Sequence, residues 1–352
     1  DPGAGLRARI EAGLALGNVG HPDLLPQGFT FEGRTVHAIV PSMQLVPAGD
    51  FIRGSDPAEN HRPSVEITTE RRVKLPDFSI GRYPVTNAEF KYFVDDPGGY
   101  VADRWWGSDG LLWKAGGPEA HAGAIEQWLA NRKAVAHYGV EEAAIAMSWA
   151  PSTIRYYLQI VALSDDEARE RARRVNTRPF DRPAFWDEPE RSRPGQPVVG
   201  VNWHEANAYC RWLSAVSARA IQLPGESQWE KAARGVDGRE YPWGEAFDAA
   251  LCNTVESRLD STTPVGHYLG GASPFGLLDV SGNVWEWTAD WYQPYSGGDP
   301  TASTEFSRTH RSVRGGSWSN SRLGARCAYR LRSVLDHFDL NLGFRVVSPV
   351  LL

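Results

Sequence analysis

GLLDVSGNVWEWTADWY, Gly276 to Tyr292, decides the architecture of this chain. Its apolar residues come in short runs broken by Asp279, Ser281, Gly282 and Asn283. They follow no 3.6-residue period, so the stretch reads as strand and tight turn rather than helix. The same texture runs through the rest of the C-terminal third, which predicts a β-rich, loop-rich half.

Upstream the pattern changes. LPGESQWEKAARG (Leu223 to Gly235) carries a short helix that contains Trp229 and stops near Gly235. Before it, Asn202 with Glu205 three residues on is an N-cap, and the following helix sets Ala206, Tyr209, Cys210, Leu213 and Val216 on one face. Cys210 there reads as a small buried hydrophobe. PVVGV (Pro197 to Val201) reads as a buried strand. Residues from about 101 to 195 alternate Ala-rich helical stretches with Arg-Pro-rich loops, one helix opening on the capping box Ser164 to Glu167, and form a partly helical insert. Thr86 to Glu89 is a further capping box, ahead of Phe90, Tyr92, Phe93 and Val94. Met43 to Ser55 alternates around Pro-Ala-Gly and predicts a hairpin, and Leu6 to Leu16 predicts a short helix stopped by Gly17-Asn18-Val19-Gly20. The expected organisation is an α+β domain over 43–352, after a lead-in over 1–42.

The composition sets the outer limits. The 352 residues are 41% hydrophobic and 23% charged, with 35 Gly, 24 Pro and 14 Trp, as in a soluble globular protein with many turns and large aromatics in an irregular core. No apolar stretch reaches the roughly 20 residues of a membrane-spanning helix, and Asp1 to Gly20 lack signal-peptide character, so neither membrane insertion nor export is expected. A net charge of -6 leaves no basic footprint for nucleic acid. Three cysteines, Cys210, Cys252 and Cys327, exclude a fully paired disulfide framework, and a reducing, cytoplasmic setting is the expectation. The chain opens on Asp1 rather than Met, which admits a piece of a longer protein.

The motifs Leu223 to Gly235, YPWGE (Tyr241 to Glu245), Gly276 to Tyr292, VRGGSW (Val313 to Trp318) and LGFRVV (Leu342 to Val347) stand in an order that resembles the formylglycine-generating-enzyme (sulfatase-modifying factor) domain. With Met43 and the Arg82 to Asn87 segment, the likeness covers roughly residues 43 to 350. It implies a C-type lectin fold of the formylglycine-generating-enzyme-like subtype: two core helices, short antiparallel sheets and much irregular structure. It also implies a site. Formylglycine-generating members use two cysteines after the GGS-aromatic motif to bind copper. Here Asn320 takes the first position and only Cys327 lies near the second. The related sulfoxide synthases hold iron through histidines of an extra helical domain, whereas the nine His of this chain are scattered. His204, beside Trp203 at a helix start, reads as solvated or capping. The expectation is therefore a chain that is not an enzyme and requires no cofactor.

From Gly315 to Val347 the sequence resembles the variable region of a diversity-generating retroelement protein, with the framework GGSW, AR-C-AYR and LGFRVV. In that family template Asn codons become many residues. The matching positions are Ser319, Asn320, Ser321, Leu323, Gly324, Leu331, Arg332, Ser333, Val334, His337, Asp339, Leu340 and Asn341. Randomising the first two bases of AAC never yields Glu, Lys, Gln, Met or Trp. None of these occurs from Ser319 to Asn341, where about three are expected at this composition. Leu331, Val334, Leu335, Phe338 and Leu340 mix with Asp336, His337 and Asp339 without a clean period, which predicts an irregular displayed surface. Gly315, Gly316, Trp318, Tyr329, Arg330, Phe344 and Arg345 read as scaffold, the arginines held by buried carboxylates or carbonyls.

Some family members hold calcium around the GN-x-WEW segment. The likeness implies Asn283 and Glu286 as ligands, with Asn253 and Asp260 as weaker candidates for a second site. The functional expectation is a ligand-binding protein with a hypervariable patch for protein-protein interaction or another macromolecular ligand. The alternatives are an oxygen-dependent oxidase of the formylglycine-generating type and a degenerate regulatory domain of a larger signalling protein.

Overall fold

Strands β1 (Gln27–Phe31) and β2 (Arg34–Ala38) form a hairpin because Glu32 and Gly33 both take positive φ, 50° and 75°, the backbone that a two-residue hairpin turn needs. The computed structural model describes residues 8, 10–13, 15, 24–58, 63–116, 121–147, 149, 151–176, 180–303, 306 and 308–349. Of the helix expected over 6–16, the described positions 8, 10–13 and 15 are helical and the remainder lies outside the described residues. Val36 and Ala38 of β2 enter the main core, so the end of the expected lead-in packs with the domain it precedes.

Four more strands come next: β3 (Met43–Val46), β4 (Gly49–Ile52), β5 (Arg72–Leu75) and β6 (Phe78–Gly81). The hairpin expected over Met43 to Ser55 is corrected here. β3 pairs with β6 and β4 with β5, so the chain changes sheet at Pro47-Ala48. Pro-Ala cannot adopt the positive-φ turn of a two-residue hairpin, and Pro47 has no N–H to give a ladder. The buried ammonium of Lys231 donates to the carbonyls of Pro47 and Gly49 and fixes this corner.

The helices begin with α1 (Asn87–Asp95), whose capping box forms as read: Glu89 Oε2 accepts from the Thr86 amide at 2.6 Å. The insert supplies α2 (Ser108–Lys114), α3 (Ala122–Tyr138), α4 (Val140–Met147), α5 (Pro151–Val161) and α6 (Asp165–Asn176). Next come α7 (Trp203–Ser217), capped by Asn202 and Glu205, and α8 (Glu226–Arg234). Residues 197–201 are buried, but only Pro197 makes a bridge, to Thr86, so the expected strand is an extended segment held by the Val198 amide on the Val85 carbonyl. No helix among the described residues is long and apolar enough to cross a membrane.

The last third forms β7 (Trp285–Trp291), β8 (His310–Arg314), β9 (Leu331–Val334), β10 (Leu342–Phe344) and β11 (Val347–Ser348). One sheet runs β10-β7-β8-β9, parallel only between β10 and β7, and a second runs β11-β6-β3. α1 and α7 pack on the first sheet through aromatics: Phe90 stacks on Tyr209 at 5.2 Å, and Phe93 lies 5.4 Å from Trp212. Trp229 of α8 centres a second core with Phe78, Ile80, Leu277, Val280 and Cys327. The insert has a small core of its own, Leu129 with Ala168 and Ala172.

Carboxylates under the sheet hold the scaffold arginines. Glu226 takes both Nε and Nη2 of Arg330 at 2.7 and 2.8 Å, and Glu286 takes Nε and Nη2 of Arg345 at 2.6 and 2.7 Å. These paired forks lock the C-terminal segment onto α8 and β7.

Candidate functional site

The candidate site begins where β8 ends. Gly315 and Gly316 come next at φ 99° and 72°, and a Cβ on Gly316 would stand 2.8 Å from the Gly324 carbonyl, so only glycine allows this turn. The turn delivers Ser317, Ser319 and Asn320 next to Asn341. Asn341 Nδ2 donates to Ser317 Oγ at 3.1 Å and to Ser319 Oγ at 2.8 Å. Asn320 Oδ1 accepts from the Ser317 hydroxyl and from the Trp285 indole N–H, the latter at 2.9 Å. The result is a neutral seat of amides and hydroxyls at the position where formylglycine-generating members place their first cysteine.

The other expected site residues divide into two groups. Ser321, Leu323 and Gly324 form a loop beside the seat, with Leu323 55% exposed at its tip. Leu331, Arg332, Ser333 and Val334 are strand β9, which corrects the expected irregular surface. Ser333 is buried, and Leu331, Arg332, Val334, His337, Asp339 and Leu340 are half-buried rather than displayed. The cause is the insert: the Val334 amide donates to Gln127 of α3 at 3.2 Å, and Asp336 accepts from the Ala124 amide at 3.1 Å. Phe338 is buried near Phe185 and is scaffold.

The metal sites implied by the family do not fit these residues. Cys327 is buried, its thiol pushed up to about 12 by burial, and its carbonyl is engaged by Arg314; with Asn320 opposite, no thiolate pair exists for copper. Among the described residues no group of three or more His, Cys, Asp or Glu could hold a metal. His204 is buried, not solvated, and burial pushes its imidazole down to about 4, so it is neutral. The calcium expectation is corrected as well. Both Glu286 oxygens serve Arg345, with Trp229 also donating to Oε2 at 2.8 Å. Asn283, at φ 66°, turns the chain while its Oδ1 accepts from Asn253 Nδ2 and the Thr263 amide. Asn253 Nδ2 donates to the Ser261 carbonyl and its Oδ1 accepts from the Ser257 hydroxyl, and Asp260 lies 4.0 Å from Arg155. These oxygens already have protein donors, which a hard cation would have to displace.

Sequence reading missed a cleft of about 190 Å³ beside β8, lined by 107–110 of the insert, by Trp203, His204, Asn207 and Arg211 of α7, and by Arg311 and Leu335. Its one sequence signal was His204 beside Trp203; the arginine belongs to a strand of ordinary sequence.

The sulfatase-modifying factor enzyme 1-like domain matches residues 30–350. The chain is 32% identical to hercynine oxygenase of Mycolicibacterium smegmatis over 294 residues, 78% of this chain and 54% of that protein. It is 30% identical to the formylglycine-generating enzyme of Streptomyces coelicolor over 330 residues, 86% and 88% of the two chains. Among solved structures, Treponema denticola variable protein 1 superposes with a TM-score of 0.53 at 17% identity, covering 93% of this chain and 99% of that one, a likeness of fold. The chain spans about half the length of the hercynine oxygenases it matches. The expectation of a chain that is not an enzyme is corrected by these relatives, since hercynine oxygenase and formylglycine-generating enzyme are enzymes. With its α+β lectin-type architecture, the chain belongs to the sulfatase-modifying factor enzyme 1-like family.

Proposed function

We propose that this chain is the substrate-recognising part of an oxygen-dependent, sulfur-processing enzyme of its family, meeting its substrate at the face built from residues 317–341. The seat of Ser317, Ser319, Asn320 and Asn341 carries this reading. Neutral amides and hydroxyls orient a polar substrate by hydrogen bonds, and they offer no redox thiolate. In this reading the seat itself carries no metal, and its part is to bind and orient the substrate. The test is calorimetric titration of the purified chain with a cysteine-containing peptide. Saturable binding that weakens about tenfold in Asn320→Ala supports the reading. No saturable binding, or oxygen uptake by the chain loaded with copper(I) alone, overturns it.

A second reading makes the same face a retroelement-diversified patch for a protein or other macromolecular ligand. The absence of Glu, Lys, Gln, Met and Trp from Ser319 to Asn341 favours it. It requires a nearby copy of the DNA encoding 315–347 that differs only at adenines; mismatches at other bases rule it out.

A further inference from the structure

Strand β8 carries a guanidinium that makes no direct ion pair among the described residues, Asp290 and Asp109 acting on it only from farther away. Arg314, on the same strand, is paired with Glu226 and Glu230. Arg311 instead lies over two indoles, its Cζ 4.1 Å from the Trp203 ring centre and 3.5 Å from that of Trp291. Its Nη1 donates to the Ala289 carbonyl at 2.5 Å, which fixes the plane of the group, while its Nε is buried without a partner. Among the described residues no carboxylate forms an ion pair with it. A half-buried cation in that condition is a cost to the fold, removed when an anion meets it.

The group stands in the wall of the 190 Å³ cleft. Arg211 supplies a second positive charge there and Asp109, at the mouth, one negative charge, while His204 is neutral, so the lining carries a net +1. Trp203 and Leu335 give it apolar walls. Drug-sized pockets measure about 300–1,000 Å³, so this one admits only a small molecule. We infer that the cleft binds a small organic carboxylate, its anionic end on the fork of Arg311 and its apolar body against Trp203 and Leu335. A planar guanidinium matches a carboxylate in two parallel hydrogen bonds, and the apolar walls of Trp203 and Leu335 favour an organic anion over phosphate. The site is separate from the seat of the thiol-substrate reading, because it uses none of Ser317, Ser319, Asn320 and Asn341, although Leu335 belongs to the same face.

Calorimetric titration of the full chain with benzoate, benzamide and inorganic phosphate tests this. Benzoate should saturate one site, with benzamide and phosphate weaker by about tenfold or more. Arg311→Gln should lose benzoate by about tenfold or more. Asp109→Asn, at an exposed position in the first turn of α2, should tighten benzoate about two- to fivefold by removing a repelling charge. Failure of benzoate to saturate, equal binding of benzamide, preference for phosphate, or no gain in Asp109→Asn overturns the inference.

Discussion

Asp336 caps a helix that begins more than two hundred residues before it: its Oδ2 accepts from the Ala124 amide, the third residue of α3, at 3.1 Å. Gly123 makes room, since a Cβ there would stand 3.0 Å from Asp336 Oδ1. The helix has no capping bond from its own N-cap side chain, His121. The carboxylate thus joins the insert to the face next to the seat, and it favours the positive end of α3. Asp336→Ala should destabilise α3 by about 1 kcal/mol. Amide exchange over 122–138 should quicken while α1 and α7 keep their protection, because the insert has its own small core. Equal acceleration everywhere would show that the bond supports the whole fold rather than this joint.

Two buried carboxyls should weaken the fold as pH rises from weakly acid to neutral, opposed by His204, whose lowered pKa acts the other way. Glu89 is fully buried with only Thr86 as partner, and burial pushes its carboxyl up to about 7 from 4.5; Asp279, buried likewise, rises to about 6 from 3.8. A raised acid pKa means the folded state keeps a proton that the unfolded chain releases. The stability linked to Glu89 is therefore complete below about 4.5 and lost through pH 7, on the order of 3 kcal/mol at 1.36 kcal/mol per unit. Glu226 and Glu230 act oppositely. Despite burial, arginines hold both carboxyls below 4.5, so their contribution is present above that pH and lost as pH falls through the lowered values. Urea unfolding at pH 5 and pH 8 should show that Glu89→Gln loses stability at pH 5 relative to pH 8 when compared with the parent, while the buried neutral His204 works in the opposite direction in both. A variant that keeps the parent's difference between the two pH values would remove Glu89 from this account.

The half-buried apolar residues of the C-terminal segment should separate by their neighbours. Leu331 packs on the main core, whereas Val334 and Leu340 lie only partly covered near the insert. Leu331→Ala should cost about 2 kcal/mol, and Val334→Ala or Leu340→Ala about 1 kcal/mol or less. Chemical denaturation of the three single variants measures this. Equal losses at all three would make the whole segment core and remove it as a recognition face.

What the sequence made legible was local. The capping boxes at Thr86, Ser164 and Asn202 close over three residues and form as read, and so does the helix around Trp229. Arg330 and Arg345 were legible as held groups, but Glu226 and Glu286, 104 and 59 residues away in the chain, were not identifiable as holders. Strand partners were equally hidden, since nothing within Met43 to Ile52 says that β3 belongs to β6. β9 escaped notice because Leu331, Arg332, Ser333 and Val334 do not alternate apolar with polar, and four residues are too few to show a period. Ser319, Asn320 and Asn341 were read as variable positions, and their hydrogen bonds to one another and to Ser317 and Trp285 were not legible. The cleft was not legible either, because Trp203, Trp291 and Arg311 meet only after α7 docks on the sheet.

The buried charges that join α8 to β8 should be a weak point of the fold. Glu230 serves four donors: Oε1 accepts from the Gly54 amide at 2.7 Å and Arg234 at 2.9 Å, and Oε2 from Tyr295 at 2.9 Å and Arg314 at 2.8 Å. Arg314 is wholly buried, and its other carboxylate, Glu226, is farther away at 3.3 Å and already serves Arg330. Glu230→Gln keeps the shape but replaces a charged acceptor with an amide that must turn its NH₂ toward a donor. The unpaired guanidinium then costs about 3–5 kcal/mol. Removing that cation as well, in Glu230→Gln with Arg314→Met, should restore part of the loss, because an apolar side chain of similar length needs no counter-ion. Denaturation of the two single variants and the double variant gives the coupling directly. Additive losses would mean that Glu230 stabilises the fold through Gly54, Arg234 and Tyr295, and that the pairing with Arg314 contributes little.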